Sequence, residues 1–265
     1  MGFDPVSYLL GKQAGGGGGG VTVEALSVTE NGVYTAPAGK AYSPVTVAVP
    51  LNVGLKGGAS SNFLFSRYKN VVFSPPINKL LLNATYSSGL NAGSFSSGLQ
   101  GVAAIELIVD TGIIGMNYAF NNCKVPHITI RAETSSCTNF SDAFAGNDNE
   151  TFFITVDGDA LDLSSATSLD NMLGKRVKEI RFVADSAKIS WTMNNCESIS
   201  DNTLVSIANA LDGTVTGKTL TIHATPKAKC QTLMGTVADG LFTADASGTV
   251  TLADFITNTK GWTLA

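Results

Sequence analysis

A mixed, β-rich chain built from stacked repeats around a parallel sheet is the fold class this sequence predicts, and three observations predict it. First, pairs of apolar residues flanking a single residue recur: Leu80/Leu82, Ile105/Leu107, Ile128/Ile130, Ile154/Val156, Ile180/Phe182 and Leu220/Ile222. Their first members lie 25, 23, 26, 26 and 40 residues apart. Second, a bulky apolar anchor follows most pairs, 11 to 17 residues later: Phe95, Phe120, Phe144, Leu173 and Met193. Third, Asn121-Asn122-Cys123 after Phe120 is echoed by Asn194-Asn195-Cys196 after Met193.

Each pair reads as a short strand, because side chains alternate faces along a strand. One strand and one return anchor cannot enclose a core alone. Stacked units can: the pairs line one wall and the anchors the other. A period of 23–26 residues is that of a leucine-rich-repeat-like solenoid. The repeats are assigned to residues 60–200, with their number and register left open around 157–176, where Asn171-Met172-Leu173-Gly174 lacks the Phe and the Cys.

Before the repeats stand two other segments. Residues 1–20 form an arm. Asp4-Pro5 opens a short helix that Gly11 ends, with Val6, Leu9 and Leu10 on one face. So short a helix is stable only when that face docks on a partner. The glycine run 15–20 is a flexible tether, reaching roughly 20 Å. Residues 21–55 form a small β module. Val23 to Thr29 is one strand, Asn31-Gly32 a hairpin turn, Val33 to Thr35 the returning strand, and Val45, Val47 and Val49 alternate in a third.

After the repeats, residues 201–265 read as an α/β cap that closes the open end of the stack. Asp201 caps a helix carrying Leu204, Ile207, Ala208 and Leu211, ended by Gly213. A strand follows over Leu220 to His223, then a helix from Thr225-Pro226 through Leu233 and Met234 to Gly235. Thr251 and Asp254 form a capping box for a last helix through Phe255 and Ile256, which Gly261 stops before a final strand, Trp262 to Leu264.

Composition narrows the function. Charged residues are 14% of the chain, hydrophobic residues 44%, and the net charge is −4. There is no broad basic surface, so nucleic acid is not an expected partner. No apolar run is long enough to span a membrane, and the first residues lack the basic start of a signal peptide. Cys123, Cys137, Cys196 and Cys230 form no CxxC pair. They read as reduced, buried small hydrophobes, with no metal and no cofactor implied.

Catalytic patterns fail on spacing. Asp212-Gly213-Thr214-Val215-Thr216-Gly217-Lys218-Thr219 resembles a phosphate loop but has three residues between its glycines, where four are needed. His127 and His223 belong to no metal or hydrolase motif and read as structural or solvated. Asp157, Asp159 and Asp162 near Gly158 miss the calcium-loop spacing and read as turn-forming acids. A carboxylate pair acting on a polysaccharide is the one enzymatic alternative they leave. The expectation is a non-enzyme.

A binding face is expected on the outward side of the repeat sheet. Leu81, Glu106, Thr129, Thr155, Arg181 and Thr221 lie between the inward pairs. His127, Phe153 and Glu179 flank them on one side, and Arg131, Asp157 and Val183 on the other. The residues assigned to binding are Glu106, Thr129, Arg131, Phe153, Thr155 and Arg181. The loop from Gly146 to Glu150 is a second candidate contact.

Five stretches carry family resemblances. The opening "FDPVSYLLGKQAGGGGGG" and the segment "VTENGVYTAPAGKAYSPVTVAVP" resemble tail- and baseplate-associated proteins of phages of gut Gram-positive bacteria. "YAFNNC", "ISWTMNNCESIS" and the isoleucine spacing resemble irregular, BspA-like leucine-rich repeats over residues 75–200. The ending "TNTKGWTLA" resembles the terminal unit of the same phage repeat proteins.

The resemblance implies a virion-associated binding protein of tail-fibre, baseplate or receptor-binding type, made in the host cytoplasm. The arm would attach to other virion proteins through Val6, Leu9 and Leu10. The repeats would meet a host-surface glycan or protein, and a homo-oligomer is expected. A structural or decoration protein of the virion is the other alternative.

Overall fold

The computed structural model describes residues 22–30, 32–35, 40–48, 53–56, 71–77, 80–84, 100–102, 104–109, 113–121, 127–131, 133–145, 152–156, 160–175 and 177–265. Seventeen strands among them are β1 Thr22–Val28, β2 Gly32–Thr35, β3 Lys40–Ala48, β4 Val53–Lys56, β5 Val71–Ile77, β6 Leu80–Ala84, β7 Gln100–Val102, β8 Ala104–Val109, β9 His127–Arg131, β10 Phe152–Val156, β11 Val177–Glu179, β12 Trp191–Met193, β13 Thr219–Ile222, β14 Met234–Ala238, β15 Leu241–Ala244, β16 Val250–Thr251 and β17 Thr263–Leu264. The helices are α1 Asp201–Ala210, α2 Ala224–Cys230 and the one-turn α3 Leu252–Asp254, which runs on into a π turn, Phe255–Thr259. The class is mixed α/β, in several small sheets.

Among the described residues, four of the five sheets are parallel: β1-β3-β5-β7, β2-β4, β6-β8-β9-β10-β11 and β12-β13-β17. Within each of these, a strand pairs with the next member of its sheet along the chain. The five-stranded sheet puts Leu80 opposite Ile105, Ile105 opposite Ile128 and Ile128 opposite Ile154. Ile128 and Ile130 are buried while Thr129 between them is part-exposed, as alternation requires.

Two register breaks have a chemical cause. β3 holds one more residue than β1 between Tyr42 and Val45, the stretch containing Pro44. β5 slips against β7 between Val72 and Ile77, where Pro75 and Pro76 stand. Proline has no N–H for the ladder, so each break is a bulge site.

A second ladder runs through the turns that follow the strands in the chain. Met116, Tyr118 and Phe120 donate their N–H groups to Asn139, Ser141 and Ala143 carbonyls at 2.7, 3.0 and 2.8 Å. Phe140, Asp142 and Phe144 donate to Ser168, Asp170 and Met172 at 3.0, 2.9 and 2.9 Å. The anchors Phe120, Phe144, Leu173 and Met193 are all fully buried. Phe120 and Phe144 stack with centroids 5.4 Å apart and planes 8° from parallel. The anchor Phe95 lies outside the described residues.

Several expectations are corrected. Asn31-Gly32 does not fold β1 back onto β2: β1 pairs in parallel with β3, and β2 with β4. A two-residue turn cannot join parallel strands. Leu220/Ile222 does not continue the sheet of inward pairs. It lies opposite Trp191/Met193 in a separate three-stranded sheet, consistent with the longer, 40-residue step. Ser200 rather than Asp201 caps α1, its Oγ accepting from Thr203 N at 3.2 Å, and the helix ends at Ala210 rather than at Gly213. His223 lies past the end of β13 and caps α2, its Nδ1 accepting from Thr225 N at 3.2 Å.

α2 stops at Cys230 rather than Gly235, because Met234 begins an antiparallel hairpin. That hairpin turns at Asp239 (φ 51°) and Gly240 (φ 73°), the two left-handed residues a type I′ turn needs. Gly235 leaves no room for a Cβ beneath the Phe242 ring. The capping box of α3 stands as read: Thr251 Oγ accepts from Asp254 N at 3.0 Å.

α1 covers the edge of the five-stranded sheet. Thr203 Oγ1 accepts from Ile180 N at 3.0 Å and donates to Lys178 O at 3.1 Å. Ser206 Oγ accepts from Phe182 N at 2.8 Å. Thr203 thus bonds the open side of β11 at Lys178, and Ser206 serves the segment just past that strand.

Candidate functional site

The sheet positions one row of the sequence-derived face. Leu81, Glu106, Thr129 and Thr155 stand in register on neighbouring strands. His127 and Phe153 are opposite one another in the adjacent row, which continues to Glu179. Arg131, at the end of β9, stands opposite Ile108. Arg181 is not in this sheet. It follows β11, is exposed, and its carbonyl accepts from Leu161 N at 2.9 Å. Thr221 is separated from the row, since β13 belongs to another sheet. His127 and Glu179 are exposed, and Val183 is 39% exposed. Val6, Leu9, Leu10, Asp157, Asp159 and the loop 146–150 lie outside the described residues.

Of the residues singled out for chemistry, Asp162, Asp212 and His223 are engaged in turns and caps. Asp162 Oδ1 accepts from Ser164 N at 2.8 Å, and its own N–H donates to Thr134 Oγ1 at 2.8 Å. Asp212 Oδ1 takes both the N–H and the hydroxyl of Thr214, at 2.8 and 2.6 Å. Its carboxyl is held below the ordinary range by these Thr214 bonds, with Lys188 and Lys260 adding to the effect against a smaller cost of burial. Asp245 is lowered likewise by Ser247. A lowered carboxyl is a poor proton donor at neutral pH.

The three described cysteines are fully buried and free. Burial pushes the thiols of Cys137 and Cys230 up to about 12 and that of Cys196 to about 11. They are neutral thiols at physiological pH and poor nucleophiles. Among the described residues no three His, Cys, Asp or Glu side chains converge on one point as metal ligands. No helix among them is long and apolar enough to cross a membrane.

Sequence reading missed a regular feature of the turn surface. Thr138 Oγ1 donates to Ile114 O at 3.2 Å, and Thr167 Oγ1 donates to Thr138 O at 2.9 Å. The same hydroxyl bond thus joins each turn to the one before. In the same three turns Tyr118, Asp142 and Asn171, each two residues before an anchor, are left-handed. Aligning the chain on Phe120, Phe144 and Leu173 exposes both columns. The described turns present exposed or part-exposed hydroxyls, amides and acids together with Ile114 and Tyr118.

No family model, curated protein or solved structure matches this chain.

Proposed function

We propose that the chain is a non-catalytic, virion-associated binding protein of a bacteriophage, of tail-fibre, baseplate or receptor-binding type. In this reading its strands and turns stack as a leucine-rich-repeat-like solenoid. The arm 1–20 attaches to other virion proteins through Val6, Leu9 and Leu10. The repeats meet a host-surface glycan or protein, or a neighbouring copy in a homo-oligomer, where repeated weak contacts gain by avidity.

The observation that carries the binding reading is the register itself. Leu80, Ile105, Ile128 and Ile154 align across β6, β8, β9 and β10, which lines up Leu81, Glu106, Thr129 and Thr155 as one row. Extended faces of this kind are what repeat proteins use to hold partners. The virion assignment rests on the resemblance of the opening, the first β segment and the ending to phage proteins.

Peptide mass spectrometry on gradient-purified particles of the encoding phage tests it. Stoichiometric peptides from this chain are expected, at a copy number typical of tail fibres. A deletion of residues 1–20 should fold and yet be missing from particles. Abundant protein in infected cells with none in particles would overturn the assignment.

A further inference from the structure

The internal repeat supplies its own control for surface positions. Tyr118 (φ 56°), Asp142 (φ 53°) and Asn171 (φ 49°) occupy equivalent places in successive turns. Backbone bonds from Tyr118 N to Ser141 O and from Asp142 N to Asp170 O, 3.0 and 2.9 Å, stack those turns. Asp and Asn adopt left-handed backbone readily, whereas a bulky tyrosine is sterically disfavoured there. Core packing does not explain the choice, since Tyr118 is 44% exposed. A strained residue kept without a packing role points to a functional one.

The neighbouring column departs in the same turn. Ile114 stands where the next turns carry Thr138 and Thr167, and it is 42% exposed. Both columns therefore change from polar to apolar at one level of the stack. The Asp142 carboxylate of the next turn raises the Tyr118 phenol above its ordinary range, chiefly by its charge, so the two groups are neighbours.

An exposed aromatic ring with a carboxylate in the next turn and an amide in the turn after it is suited to one ligand chemistry. The C–H face of a sugar ring lies on the aromatic face, and its hydroxyls bond to the polar neighbours. The charge narrows the class. Asp142 and exposed Asp170 make the turn acidic, and the chain carries −4 overall. Phosphate, uronate and nucleic acid would be repelled.

We propose that the Tyr118 turn is a binding subsite for a neutral saccharide, with Tyr118 and Ile114 against the sugar's apolar face and Asp142 and Asn171 bonding its hydroxyls. This subsite lies on the turns, away from the sheet row of the functional reading. It does not depend on the virion assignment.

Tyr118→Asn is the test variant, because Asn171 already holds that backbone conformation two turns on. It should fold and melt at or above the wild-type temperature. The full chain would be run in affinity electrophoresis against neutral polysaccharides (a glucan, a galactomannan, an arabinogalactan) and anionic ones (polygalacturonate, hyaluronate). Retardation by a neutral polysaccharide, weakened about tenfold in Tyr118→Asn, is expected, the scale of losing one aromatic contact. Retardation by none, or by the anionic set alone, overturns the proposal. So does binding that survives Tyr118→Asn but is lost in Thr129→Arg, which would leave the sheet-face reading standing. An oligomer dissolved by Tyr118→Asn without saccharide binding would mark the turn as a protein contact and overturn it too.

Discussion

The turns between residues 113 and 196 and the C-terminal residues 201–265 solve the same problem in opposite ways. In the first region a backbone group finds its partner in the next turn, about one repeat away. Met116 pairs with Asn139, Phe140 with Ser168 and Asn171 with Thr192. In the second, most partners are close in sequence, as in α1, α2 and the hairpin β14–β15. A few long ties hold these local units in place. Trp262 Nε1 donates to Asp212 O at 3.0 Å, Lys260 Nζ bonds Asp185 Oδ1, and Asn209 exchanges two bonds with the Phe242 backbone at 2.8 and 3.0 Å. A ladder always leaves an open edge, and helix hydroxyls such as Thr203 and Ser206 can satisfy one without adding another strand. The difference teaches that bonds repeated from turn to turn tie the first region together, while local elements joined by a few long contacts hold the second.

The largest effect should come from breaking the anchor column. Phe144→Ala removes a fully buried ring stacked on Phe120, at a cost of about 3–5 kcal/mol in chemical denaturation. Hydrogen exchange should quicken around residues 116–120 and 168–174 while the hairpin 234–244 keeps its protection, because repeat contacts are nearest-neighbour. Uniform quickening would mean that both regions unfold as one unit.

Next in size is the edge cover. Thr203→Val leaves the buried Ile180 N–H without its acceptor and should cost about 1–3 kcal/mol. Thr203→Ser should recover most of that loss. Equal stability of the Val and Ser variants would show that the hydroxyl does not seal the edge.

Legibility followed the range of the interactions. The inward pairs were readable because alternation and spacing repeat, and the observed register of Leu80, Ile105, Ile128 and Ile154 is the one they imply. The anchors Phe120, Phe144 and Leu173 were readable for the same reason. Partner choice was not readable where one local pattern serves two pairings. Val23, Val33 and Val45 alternate equally well in a hairpin or a parallel ladder, and Asn31-Gly32 favoured the wrong one. The opposite error fell at Asp239-Gly240, a hairpin signal overlooked beside a helical pattern running through Leu233. Of the sheet face, Glu106, Thr129 and Thr155 were readable together because they share a register, while Arg181 was not, since the strand pairing ends before it. Left-handed Tyr118 had no warning in local composition, since only comparison with Asp142 and Asn171 shows it to be out of place.

The smallest effect should appear at the joint between the regions, and pH isolates it. Asp212 precedes the loop that ends at β13, and its carbonyl receives Trp262. Its carboxyl lies below the ordinary value of 3.8, chiefly because it accepts both Thr214 bonds. A group whose pKa is lower in the folded state contributes stability above its unfolded value and loses it as pH falls through the folded one. The contribution should therefore be complete at pH 5 and above, fading below pH 3.8. Asp212→Asn keeps an acceptor but removes the charge, so at pH 7 it should cost under about 1.5 kcal/mol. Melting curves of wild type and variant should converge as the pH drops below 3.8. A gap that stays constant across that range would assign the effect to packing around Trp262 instead of to the carboxylate, and would make this joint as pH-blind as the anchor column.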